Sequence, residues 1–112
     1  MTIITDEFMR QMQEKTKEYC VCILRTTPKR GQTGANRFVT EHNRRNFVLR
    51  VEGTLSILCQ ISDGSGVIAV SIFNASVDEV KKIMDEDPAV KEGIFTYELH
   101  ASRSFPGDML PG

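Results

Sequence analysis

The chain has 112 residues, 14 basic and 15 acidic for a net charge of -1, with 40% hydrophobic and 26% charged positions. That length makes one compact domain of radius about 13 Å, and the mix excludes collagen, low-complexity disorder and a polyelectrolyte tail. The absent basic excess argues against a general nucleic-acid or anionic-membrane binder. No apolar run approaches the roughly 20 residues of a bilayer span, and residues 1–10 lack the basic start and apolar core of a secretory leader.

Residues 5–15 predict a short helix at the edge of the domain. Thr5 can cap it, Asp6 and Glu7 suit its positive end, and Phe8, Met9 and Met12 form one apolar stripe. Residues 19–27 are β-rich and bounded by Pro28, which predicts the first strand. Residues 28–34 form a loop with two glycines and two cations. Residues 36–51 read as the main helix, with Asn36 as cap and Gly53 as its left-handed stop. Two strands, 54–61 and 67–73, flank the reversal signal Asp63-Gly64. Ser76-Val77-Asp78-Glu79 has capping-box spacing, and the helix behind it ends near Asp87-Pro88. Residues 93–101 predict a last strand, and 102–112 a tail extended over the surface.

After the leading helix the order is strand, helix, strand, strand, helix, strand, the split βαβ pattern of ferredoxin-like α+β folds with a four-stranded antiparallel sheet. Alternation puts Leu55, Ile57, Cys59 and Ile61 on one face, and separates Phe95, Tyr97 and Leu99 from Thr96, Glu98 and His100. Helices in this topology cover one face only. Residues 20–24 and 67–73 are apolar on both sides, so the second face needs a cover. A second copy of the chain is the economical one, giving a homodimeric α/β barrel; the tail or the leading helix is the competing cover. Cys20, Cys22 and Cys59, an odd number in apolar runs, read as reduced, buried thiols of a cytoplasmic protein.

His42 opens a helical stretch that ends in Glu52-Gly53 and is followed by Leu55; further on comes Asp87-Pro88-Ala89-Val90-Lys91-Glu92-Gly93-Ile94-Phe95. Over residues 19–100 these segments resemble the YciI-like (YCII-related) domain family, with its His-led central helix and its Asp-Pro-aromatic-Val-x-x-Gly segment. Leu58-Cys59-Gln60 stands where members often carry Ala-Gly-Pro, and Ala89 replaces the aromatic. The chain then divides into a leading helix at 1–17, a YciI-like domain at 18–101 and a tail at 102–112, the first and last lying outside the resemblance. The resemblance implies a ferredoxin-like subunit, a dimeric barrel and a cleft with a His as acid/base group, similar in fold to muconolactone isomerases and small dehydrochlorinases. The implied activity is isomerase- or lyase-type proton abstraction on a small carbonyl or carboxylate compound, with no cofactor. The alternative is a non-catalytic small-ligand-binding or structural dimer. The acidic partner of the His stays open among Glu41, Glu52 and Asp108, chosen by residue type.

His42 is the candidate catalytic residue, because an imidazole ordinarily titrates near working pH and can give or take a proton. The plainer alternative is a half-buried His bonded to a backbone carbonyl. Arg45 on the next turn, or Arg25 at the end of the first strand, can grip a substrate carboxylate. Glu98 and His100 share a strand face and, with Cys59, complete the ligand-contacting candidates. Solvent exposure near a strand end is their plainer role. Cys20-x-Cys22, Cys59 and the two histidines can be drawn as a zinc site, but the pair does not sit on a tight turn, and no metal is expected. Residues 29–34 (Lys-Arg-Gly-Gln-Thr-Gly) can hold an anion but lack the P-loop pattern. Arg44 and Arg45, with Arg37 and Arg50, make a locally basic helix that reads as a solvated face paired to Glu41 and Glu52.

Overall fold

A computed structural model describes all 112 residues. Its elements are α1 (Asp6–Glu14), β1 (Lys17–Thr26), α2 (Ala35–Val51), β2 (Leu55–Gln60), β3 (Val67–Phe73), α3 (Val77–Asp85), α4 (Pro88–Lys91) and β4 (Phe95–Ser104). The fold is α+β: four antiparallel strands in the order β2-β3-β1-β4. β3 therefore lies between β1 and β2, the strands that α2 joins. β1 lies between β3 and β4, which α3 and α4 join. No helix is long and apolar enough to cross a membrane.

Local chemistry explains most boundaries. Thr5 accepts from the Phe8 N–H at 3.1 Å and starts α1. Ser76 accepts from the Glu79 N–H at 3.2 Å and starts α3. α2 and α4 close in the same way. The Gly53 and Thr54 N–H groups donate to Arg50 and Leu49, and those of Gly93 and Ile94 donate to Val90 and Ala89. Both glycines sit at left-handed φ, +82° and +72°, which a side chain would strain. Asn36 does not cap α2. The cap is Gly34, without a side-chain bond, and Asn36 accepts from Arg30 at 2.9 Å instead. The loop before α2 contains a short 3-10 turn, Pro28–Gly31. β4 runs three residues past the expected end, because Ser102, Arg103 and Ser104 still pair with Tyr19, Glu18 and Lys17 of β1.

One face of the sheet carries the core. Cys20, Cys22, Leu24, Leu55, Ala69, Phe73 and Phe95 pack there against Ala35 and Leu49 of α2, Val80 and Met84 of α3 and Ala89 of α4. Directly paired residues share a face, so the register sets the other side. Val21, Ile23, Val70 and Ile72 point away from the helices, with Glu98 and His100 beside them. The predicted single face of Leu55, Ile57, Cys59 and Ile61 does not occur. Leu55 pairs with Phe73 but Ile57 pairs with Ile72, so a bulge at Ser56 flips the alternation. Leu55 and Leu58 turn to the core side, and Ile57 and Cys59 to the open side. Cys59 is accordingly exposed, not buried.

α1 packs no core: none of its residues is buried, and Phe8 and Met9 of its stripe are exposed. The radius of gyration, 16.7 Å, exceeds the roughly 13 Å of a compact chain this long. Tail residues Phe105, Met109 and Leu110 border a groove of about 860 Å³ that also touches Tyr19, Ile57 and Ile72, so the tail flanks part of the open face.

Candidate functional site

His42 sits in the middle of α2 on its buried side, 5% exposed. An imidazole placed there needs a polar partner. Asp87, 1% exposed, supplies it: its Oδ2 lies 2.7 Å from His42 Nδ1. The position of Asp87 follows from the proline after it. A residue before proline is pushed to extended backbone, and Asp87 has φ -66° and ψ 130°, which breaks the chain between α3 and α4. From there its other oxygen, Oδ1, accepts from the Ala89 and Val90 N–H groups at 2.9 and 3.2 Å. One carboxylate thus caps α4 and anchors the imidazole. No buried side-chain nitrogen or oxygen is left without a partner.

These bonds fix the proton. A carboxylate only accepts, so His42 donates from Nδ1, and the neutral ring then has its lone pair on Nε2. Asn46, one turn further along α2, places its amide nitrogen 3.3 Å from Nε2. The Phe95 ring meets the imidazole edge-on, with centroids 5.1 Å apart and planes at 71°. Arg45 supports the pair from behind. It donates to the Ile83 carbonyl and stands 3.9 Å from Asp87 Oδ2 and 3.8 Å from Glu86.

The imidazole borders a cavity of about 290 Å³ between α2 and the sheet. Leu24, Leu58, Ile68 and Phe95 give it apolar walls, while Asn43, Asn46, Gln60 and Arg30 supply its polar atoms. The larger groove beside the tail holds no histidine and no buried ionisable group. The chemistry therefore gathers in the smaller space.

The other candidate residues lie elsewhere. Arg25, Glu98 and His100 form a chain of polar contacts on the open face, with His100 Nε2 at 3.0 Å from Glu98 and Arg25 on its other oxygen. Arg25 first, then His100, holds the Glu98 carboxyl below its ordinary value. Cys59 shares that face, so the sheet separates all four from His42. Arg45 is close to His42 but faces Asp87, behind the imidazole. Arg44 pairs with Glu41 at 3.4 Å, as a solvated face should. None of the acids suggested by residue type, Glu41, Glu52 or Asp108, is the partner of the imidazole.

Burial, with the neighbouring Cys20 and Asp87 adding to it, pushes the Cys22 thiol up to about 12. Cys20 is raised by burial too. Neither is a nucleophile near neutral pH. No three His, Cys, Asp or Glu side chains come together as a metal site.

Asp87 and Asn46 are the site residues that sequence reasoning misses. Asp87 lies in the Asp-Pro segment, where the pattern marks it only as a helix terminator. Asn46 lies four residues after His42, on the same helix face, and that spacing is the signal that marks it. No protein-family model matches the chain, and no curated protein matches it.

Proposed function

We propose that the protein is a small YciI-like acid/base enzyme in which His42 moves a proton on a small carbonyl or carboxylate compound. The observation that carries this reading is the His42–Asp87 pair at 2.7 Å beside a cavity of about 290 Å³. An imidazole with Nδ1 tied to a carboxylate presents Nε2 as the base, and the carboxylate stabilises the imidazolium that forms. The amides of Asn43 and Asn46 are at hand for oxygen charge that develops when a proton leaves beside a carbonyl. The strand order β2-β3-β1-β4 and the helices on one side support the ferredoxin-like assignment. The Asp-Pro segment supplies the partner of the histidine, since Asp87 Oδ2 lies 2.7 Å from its Nδ1.

The working unit in this proposal is a homodimer with the open faces turned together. Tyr19, Val21, Ile23, Val70 and Ile72 give that face an apolar centre that α1 does not cover. Three unbridged thiols support a cytoplasmic setting. Sedimentation should report twice 12.6 kDa, and Val70→Glu should halve it. A wild-type particle of single mass would refute the dimer.

Turnover of a lactone and haloacid panel tests the activity. His42→Ala should abolish it while the fold persists. A second reading, a non-catalytic binding or structural dimer, is favoured by the near-complete burial of His42. Ligand binding without reaction across the panel, unchanged in His42→Ala, would establish it.

A further inference from the structure

We infer that the cavity beside His42 takes a small amphipathic carboxylate, and that Arg30 is the residue that binds its charge. This rests on the reading of that cavity as the ligand site. Arg30 is the one arginine or lysine among the side chains that border it, and no aspartate or glutamate does so. The cavity therefore favours an anion. Arg45 and Arg25, the two arginines that the sequence suggests for gripping a carboxylate, are engaged with Asp87 and with Glu98. Arg30 makes no ion pair. Its single side-chain bond is to the neutral Asn36 amide, 2.9 Å away in the first turn of α2, which steadies the guanidinium without cancelling its charge.

The remaining walls define the rest of the ligand. Half of the twelve lining residues are apolar, among them Leu24, Val39, Ile68 and Phe95. The volume holds about ten waters at roughly 30 Å³ each. A phosphate usually draws several cations, whereas one planar guanidinium matches one carboxylate through two parallel bonds. The fitting guest has a carboxylate at the Arg30 end and a compact apolar body against Phe95. Its other polar atom lies within reach of His42 Nε2.

The test uses the full chain and three probes: benzoate, its neutral isostere benzamide, and inorganic phosphate. Binding is followed through the His42 ring resonances by NMR. Benzoate should shift them saturably and bind at least about tenfold more tightly than benzamide, a preference of about 1.4 kcal/mol. Phosphate should leave them unmoved. Arg30→Gln, on an exposed loop, should keep the amide spectrum dispersed and erase the preference, while Arg30→Lys should restore part of it. Equal binding of benzoate and benzamide, a preference that survives Arg30→Gln, or no shift with benzoate would overturn the inference. Carboxylate-selective binding without His42-dependent turnover would refute the enzyme reading and leave this one intact.

Discussion

Replacing Asp87 by asparagine should reverse the tautomer of His42 while leaving the fold in place. Oδ1 of residue 87 faces two backbone N–H donors, from Ala89 and Val90. An asparagine must keep its carbonyl oxygen there, because its NH₂ group would meet those donors head-on. The NH₂ then faces His42 Nδ1 and can only donate to it. The imidazole must answer with a lone pair on Nδ1 and its proton on Nε2, the wrong arrangement for a base at the cavity. In a serine-protease triad the same exchange costs about 10⁴ in turnover; here a loss of about 10² to 10⁴ is expected. Stability should change less. Exchanging a charge-assisted bond for a neutral one costs about 1 kcal/mol, and Arg45 keeps Glu86 as its one carboxylate neighbour beside its bond to the Ile83 carbonyl. The total is roughly 1–2 kcal/mol, or about 4–8 °C in Tm for a chain of this length. Asp87→Ala should cost more, about 2–5 kcal/mol, because it also removes the α4 cap and leaves a buried ring nitrogen unpaired. Long-range ¹H–¹⁵N NMR reads the tautomer without any substrate. Wild-type His42 should carry its proton on Nδ1 and Asp87→Asn on Nε2. The same tautomer in both proteins would refute the reasoning.

The Val70→Glu monomer, whose open face is uncovered, should be alkylated by iodoacetamide at pH 8 at the exposed Cys59 alone, with Cys20 and Cys22 modified only after unfolding, as mass spectrometry of the peptides will show. Burial and the neighbouring Asp85 carboxylate push Tyr97 up to about 12. The folded state therefore favours the protonated phenol, and that contribution to stability is complete below about pH 10 and lost as pH rises through about 12. Ultraviolet titration should show a phenolate step near 12 that Tyr97→Phe removes. Phe73→Ala, at a ring only 2% exposed between Leu55 and Cys20, should cost about 3–5 kcal/mol in urea denaturation.

Much of the fold is legible in local pattern. The capping residues Thr5 and Ser76, the stop at Gly53 and the reversal at 62–66 each act within a few residues, so sequence spacing reveals them; the short helix α4, closed at Gly93, is not among them. The bulge at Ser56 does not. It depends on how β2 seats Leu55 against Phe73, a tertiary preference that shifts Ile57 and Cys59 to the other face. The site divides in the same way. His42 can be named from its place in a helix ending in Glu-Gly. Its partner cannot, because Asp87 lies 45 residues away and meets it only when α3 and α4 fold over α2. Residue type alone points to Glu41, Glu52 and Asp108, none of which the packing pairs with the imidazole. Glu98 and His100 are legible as neighbours from strand alternation, and strand pairing adds Arg25 to them, but on the far side of the sheet from His42.

Deuterium uptake at the carbon beside the carbonyl tests the central claim most directly. Small keto acids and lactones would be incubated in D₂O with each protein and followed by proton NMR. The account predicts exchange with wild type, none above background with His42→Gln, and a rate lowered about 10² to 10⁴ with Asp87→Asn. Equal exchange with and without the imidazole, or no exchange on any compound with wild type, would contradict it.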